Sequence, residues 1–162
     1  MELTLNSSLR AKKQQILSKW QSLAMSSYEN HSLLNEKTKT GRFSDPIAYV
    51  TMDNTNKIYD LLISEENSAE FMAPLEEICR LRAVQDINPS SALSFISALK
   101  QLVREELTDE IRNGSYSDEL MNIDKRIDEI ALMASEKYAE CKERINEIRI
   151  KEMKRLNGRD AG

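Results

Sequence analysis

SYSDELMNIDKRIDEIALMASEKYAECKERINEIRIKEMKRLN, residues 115–157, decides the fold. The stretch contains no Gly, Pro, Val or Thr, so nothing in it favours a break or a strand. Ser115 and Asp118 have the spacing of a helix-capping pair. Apolar or small residues recur at Leu120, Ile123, Ile127, Ile130, Ala134, Tyr138, Cys141, Ile145 and Ile148. Their steps are three and four, with one extra four between Ala134 and Tyr138, which is a heptad seam carrying a stutter. At ~1.5 Å per residue one helix over this stretch would reach ~64 Å, about twice the length of a 20-residue helix. One end must then overhang a small bundle, and an apolar seam out there needs a partner. Ile123, Ile127, Ile130, Ala134, Tyr138, Cys141, Ile145 and Ile148 are therefore expected to form a homodimer seam.

The residues before it also read as helices. A first helix is expected over Ser7–Tyr28, with Ile16, Trp20 and Leu23 on one stripe and Trp20 as a core anchor. A polar connection from Glu29 to Asp45 holds His31 and Gly41. Asp45-Pro46 then supplies a cap and a first helical residue for the period Ile47, Val50, Thr51, Asn54, Ile58, Leu61 and Leu62. A third helix starts near Asn67, where Pro74 predicts a kink or a true start after a short leading turn. Its face is Phe71, Leu75, Ile78, Arg82 and Gln85. A fourth opens at Asn88-Pro89, presents Ala92, Phe95, Ile96, Leu99 and Val103, and stops at Asn113-Gly114. The expected fold is all-α, four shorter helices over residues 1–112 with the long C-terminal helix of 113–162 packed on them. A haem-free globin-like arrangement is the second choice.

Composition narrows the function. The 162 residues are 40% hydrophobic and 31% charged, with a net charge of −4, so no generally basic surface exists for nucleic acid. Lys12, Lys13 and Lys19 read as a solvated helix face. Cys79 and Cys141 have no second Cys or His beside them and read as small core hydrophobes, not a disulfide framework or a zinc site. The N-terminus lacks the basic-then-apolar order of a signal peptide, and no apolar run is long enough to cross a membrane, so a cytoplasmic protein is expected. One His, four scattered Gly and no nucleophile–base pairing give no catalytic set. Glu136 and Glu140 lack the Glu-x-x-His partner of a di-iron bundle. The expectation is a non-enzyme with no cofactor and no metal.

One polar cluster remains, around residues 80–96. Arg82 and Gln85 continue an apolar stripe, and polar groups there must be hydrogen-bonded or they cost a few kcal/mol. Glu106 is the expected partner of Arg82, as a structural ion pair or as part of a ligand or partner contact. The candidate cluster is Arg80, Arg82, Gln85, Asp86, Arg104 and Glu106.

Arg80-Leu81-Arg82-Ala83-Val84-Gln85-Asp86, then Pro89-Ser90-Ser91-Ala92-Leu93-Ser94-Phe95-Ile96, Leu99-Lys100 and Arg104-Glu105-Glu106 closely resemble the RsbRD N-terminal domain family. Ile16 to Trp20 with Tyr28, and Arg42-Phe43-Ser44-Asp45-Pro46-Ile47, add weaker matches, with Asp45 where the family is expected to hold Asn. The likeness covers roughly residues 8 to 110. It implies an input module placed ahead of a STAS domain, in co-antagonists of a serine kinase of the bacterial stress response, or ahead of histidine-kinase modules. Its partners would be a second copy and a kinase or STAS-type regulatory protein. With the sequence ending at Gly162, either a stand-alone member acting in trans or a fragment of a longer receptor is expected, and the natural-looking Met1 leans toward the first. An adaptor that docks a partner through the long helix is the alternative reading.

Overall fold

The computed structural model describes residues 4–29, 45–64, 67–85 and 87–160. These form seven α-helices and one 3-10 turn, and the described residues contain no strand. The connection with His31 and Gly41 lies outside them.

The first expected helix is two. α1 spans Leu5–Ala11 and α2 spans Lys13–Glu29, broken at Lys12, where φ is −102° and ψ 20°. The same break recurs at Leu107 (φ −107°, ψ 23°), dividing the expected fourth helix into α5, Pro89–Glu106, and α6, Thr108–Asn113. The two breaks are tied together. Lys12 Nζ donates to the Glu106 carbonyl at 2.7 Å and pairs with Glu110 at 3.0 Å. Neither site holds Gly or Pro, so tertiary contact, not local propensity, makes these bends.

The other helix starts follow capping chemistry. α3, Pro46–Ser64, opens with Asp45 Oδ1 accepting the Ala48 N–H at 3.1 Å. Asn67 caps the 3-10 turn Ser68–Phe71 by accepting from Ala69, and α4 follows as Met72–Val84. Pro74 therefore lies in the first turn of α4, where its missing N–H costs nothing. Asn88 Oδ1 accepts the Ser91 N–H at 2.9 Å and Pro89 takes the first position of α5.

α7 is one helix, Ser117–Asp160, starting two residues beyond the expected cap. A side chain at Gly114 would meet the Tyr116 ring, which would have to swing aside. Asp118 and Glu119 in its first turn complement the helix dipole. Glu119 also accepts the Leu5 N–H at 2.6 Å, fastening α1 to the start of α7. α7 packs mainly on α4 and α5, α2 packs on α5, and α3 bridges α2 and α4. Trp20, Tyr59, Phe71, Leu75, Ile78, Leu99 and Ile127 fill the shared core. No described helix is long and apolar enough to cross a membrane.

Candidate functional site

The sequence around residues 80–96 builds a junction of α2, α4, α5 and α7. Arg82, in the last turn of α4, is completely buried. Its two terminal nitrogens donate to the carbonyls of Ala92 on α5 and Ala24 on α2, each at 2.5 Å. The guanidinium lies 4.7 Å from the centroid of Phe95, a cation–π distance. Trp20 meets that Phe95 ring at 5.7 Å, tilted by 38°, and its Nε1 donates to the Phe95 carbonyl at 2.7 Å. Tyr138 of α7 donates its hydroxyl to the carbonyl of Ile87, in the α4–α5 link. One cation and two aromatic donors thus stitch four helices through backbone oxygens.

Glu106, the expected counter-charge of Arg82, pairs elsewhere. Its carboxylate takes the ammonium of Lys19, whose pKa is raised first by that hydrogen bond and then by the Coulombic pull of the same carboxylate. An α-helix rises only ~1.5 Å per residue, so residues 92 and 106 of α5 stand ~21 Å apart. A side chain seated at Ala92 belongs to the other end of that helix.

The remaining candidates also disperse. Arg80 points outward and pairs with Glu76 one turn back, at 2.8 Å. Gln85 is half-buried at the end of α4, and Asp86 lies outside the described residues. Arg104 grips both oxygens of Asp124 on α7, at 2.9 and 2.5 Å, and this hydrogen bonding raises its pKa. The set does three jobs: an interior lock (Arg82), an α5–α7 clamp (Arg104–Asp124) and an α2–α5 clamp (Lys19–Glu106). A residue the sequence reading passed over does similar work at the far side. Arg126 of α7 donates to the carbonyls of Leu61 and Leu62 near the end of α3, and lies 5.7 Å over Phe71. Its i−3 neighbour Ile123 and i+4 neighbour Ile130 are buried, and that flanking position was the available signal.

The expected seam of α7 faces inward for most of its length. Ile123, Ile127, Ile130, Ala134, Tyr138 and Cys141 are buried within the chain. Ile145 is half-buried at the edge, and Ile148 is 54% exposed. Of the eight seam positions, only these last two are open to a partner. At Ala134 α7 meets α4 directly, the Cys79 thiol donating to its carbonyl at 3.4 Å.

Burial pushes the Cys79 thiol up to about 12, with smaller effects from Cys141 and neighbouring charges. The ordinary thiol value is 9.0, so the folded state holds this proton where the unfolded chain releases it. Stability from Cys79 is then fully present below about pH 9 and is lost as pH rises towards about 12. At pH 8, alkylation of Cys79 in the folded protein should be at least ~100-fold slower than in urea-unfolded chain, read by mass spectrometry. Equal rates would place the thiol in solvent.

Among the described residues, no group of three or more His, Cys, Asp and Glu could hold a metal ion. What the arrangement can do is mechanical: couple the α4–α5 link to a helix that leaves the globule. No curated protein and no solved structure matches the chain. A family model does, over residues 15–153, from α2 through most of α7, and the chain belongs to that family, the RsbT co-antagonist protein rsbRD N-terminal domain.

Proposed function

We propose that the chain is a non-enzymatic sensory input module of bacterial stress or redox signalling that works as a cytoplasmic homodimer. In this reading residues 1–112 form the sensing body and 113–162 the arm packed on it, which relays helix rearrangement to a kinase or STAS-type partner. The observation that carries it is the double role of α7. Six of its side chains from Ile123 to Cys141 are buried in the core, while every described side chain from Asn146 onward is exposed. The exposed part, residues 146–158, adds ~20 Å of helix. A shift in how α4 and α5 pack must therefore rotate or translate a free end. Clamps such as Arg104–Asp124 and Tyr138–Ile87 make that coupling stiff.

The test is a phase experiment in a fusion of the whole chain to a reporter output domain. One inserted alanine between Ile148 and Arg149 turns everything beyond it by ~100°, whereas seven restore the phase to within ~20°. Reporter output should change with one, two or three alanines and return with seven. Output indifferent to the number inserted would refute transmission through the helix.

A further inference from the structure

Where α1, the end of α3 and the first turns of α7 meet, the chain leaves a recess of about 360 Å³. Glu119, Asn122, Ile123 and Arg126 line it at i, i+3, i+4 and i+7, one face of α7. Thr4, the cap of α1, Asn6 within that helix and Leu62 of α3 complete the wall. Thr4 and Asn6 precede residue 15, where the family match begins, so part of this recess is built from sequence outside that match.

Leu62 and Ile123 give a buried apolar floor, and around it stand one carboxylate, one guanidinium and two side-chain amides. A recess so lined holds water, which a solute displaces at a gain only if it reproduces the water's hydrogen bonds. Its volume falls at the lower end of the ~300–1,000 Å³ that small-molecule sites occupy. Both charges are held in place. Glu119 accepts the Leu5 N–H at 2.6 Å, and Arg126 is fixed by the carbonyls of Leu61 and Leu62 and by the Phe71 ring. The capacity of the two groups exceeds these contacts, since a carboxylate offers about four lone-pair sites and a guanidinium about five N–H donors.

Spacing selects the ligand. Residues 119 and 126 stand ~10.5 Å apart along the helix axis, and side chains on a helix lean the same way, towards its N-terminus. A charge-assisted hydrogen bond of ~2.8 Å at each end leaves ~5 Å between the ligand's own charged groups. A single amino acid, at ~3.5 Å, falls short; two residues reach up to ~7 Å, and three, at up to ~10 Å, overfill the gap. Asn122 lies between the two charges on the same face, opposite the middle of such a ligand. We infer that the recess binds a dipeptide, with its ammonium on Glu119, its carboxylate on Arg126, its peptide group on Asn122 and an apolar side chain over Leu62 and Ile123. Bound there, it ties α1 and α3 to the first turns of α7. As the stimulus of the relay it rests on the sensory reading above, whereas its binding does not.

Glycyl-leucine titrated calorimetrically into the full chain should bind saturably at one site. Leucine alone, glycyl-glycyl-leucine, and glycyl-leucine with its amine acetylated or its carboxyl amidated should each bind about tenfold more weakly. Glu119→Gln, which can still accept the Leu5 N–H, should keep the parent's helicity and weaken glycyl-leucine about tenfold. No saturable heat up to ~10 mM glycyl-leucine would overturn the site. Leucine binding as tightly as glycyl-leucine would overturn the dipeptide assignment, and binding indifferent to Glu119→Gln would place the ligand outside this recess. Glycyl-leucine that binds the chain yet leaves the output of the reporter fusion unchanged would overturn its role as the stimulus, while the response to inserted alanines decides separately whether the helix relays.

Discussion

Arg82→Leu should lower unfolding free energy by about 3 kcal/mol, which for a chain of this size is a fall in Tm of roughly 6–12 °C. Two opposing effects set that size. Removing a buried guanidinium relieves its desolvation cost, which argues for a small loss or even a gain. Against it stand two charge-assisted hydrogen bonds to Ala92 and Ala24, the contact with Phe95, and the space that the shorter side chain leaves unfilled. The two carbonyls belong to helices, so each can keep its backbone bond. Losses win because Arg82 joins three helices at once. Arg82→Lys should recover little, since one ammonium cannot span both carbonyls while lying flat on the ring. Urea unfolding followed by circular dichroism would check this. Unchanged melting together with lost partner binding would instead make Arg82 a recognition residue.

Ala134→Leu should cost about 2–3 kcal/mol and loosen α7 from α4. The site is fully buried, and its carbonyl accepts the Cys79 thiol, so the two helices run close together here. Added carbons have nowhere to go without driving the helices apart. Ala134→Gly, which removes bulk but lowers helix propensity, should cost only about 1 kcal/mol. The pair separates crowding from propensity, and a Leu variant as stable as the parent would deny the tight approach. Hydrogen exchange should locate the loosening in the amides between Ile127 and Cys141.

Much of the architecture was readable from local chemistry. Asp45, Asn67 and Asn88 cap where their spacing places them, and the absence of Gly and Pro from Ser117 to Asn157 favours the helix that runs on to Asp160. The bends at Lys12 and Leu107 were not readable. Each follows from the other through one lysine reaching across 94 positions of sequence, and nothing at either site announces it. The partner of Arg82 was misjudged for a related reason. Sequence reasoning named one carboxylate, Glu106, and missed the backbone oxygens of Ala92 and Ala24, which every residue carries and no pattern reveals. The apolar seam of α7 was found, but its occupant was not. Periodicity shows that a face is covered and says nothing about whether α4 and α5 or another copy covers it.

The account depends on α7 serving the chain's own core up to Cys141 and the proposed homodimer beyond it. Sedimentation equilibrium of the full chain at micromolar concentration tests this most directly. The mass should be twice the 18.6 kDa of one chain, and Met153→Asp should return it to one chain without lowering helicity before Cys141. A parent that sediments at 18.6 kDa, with α7 still helical to its end, would contradict it.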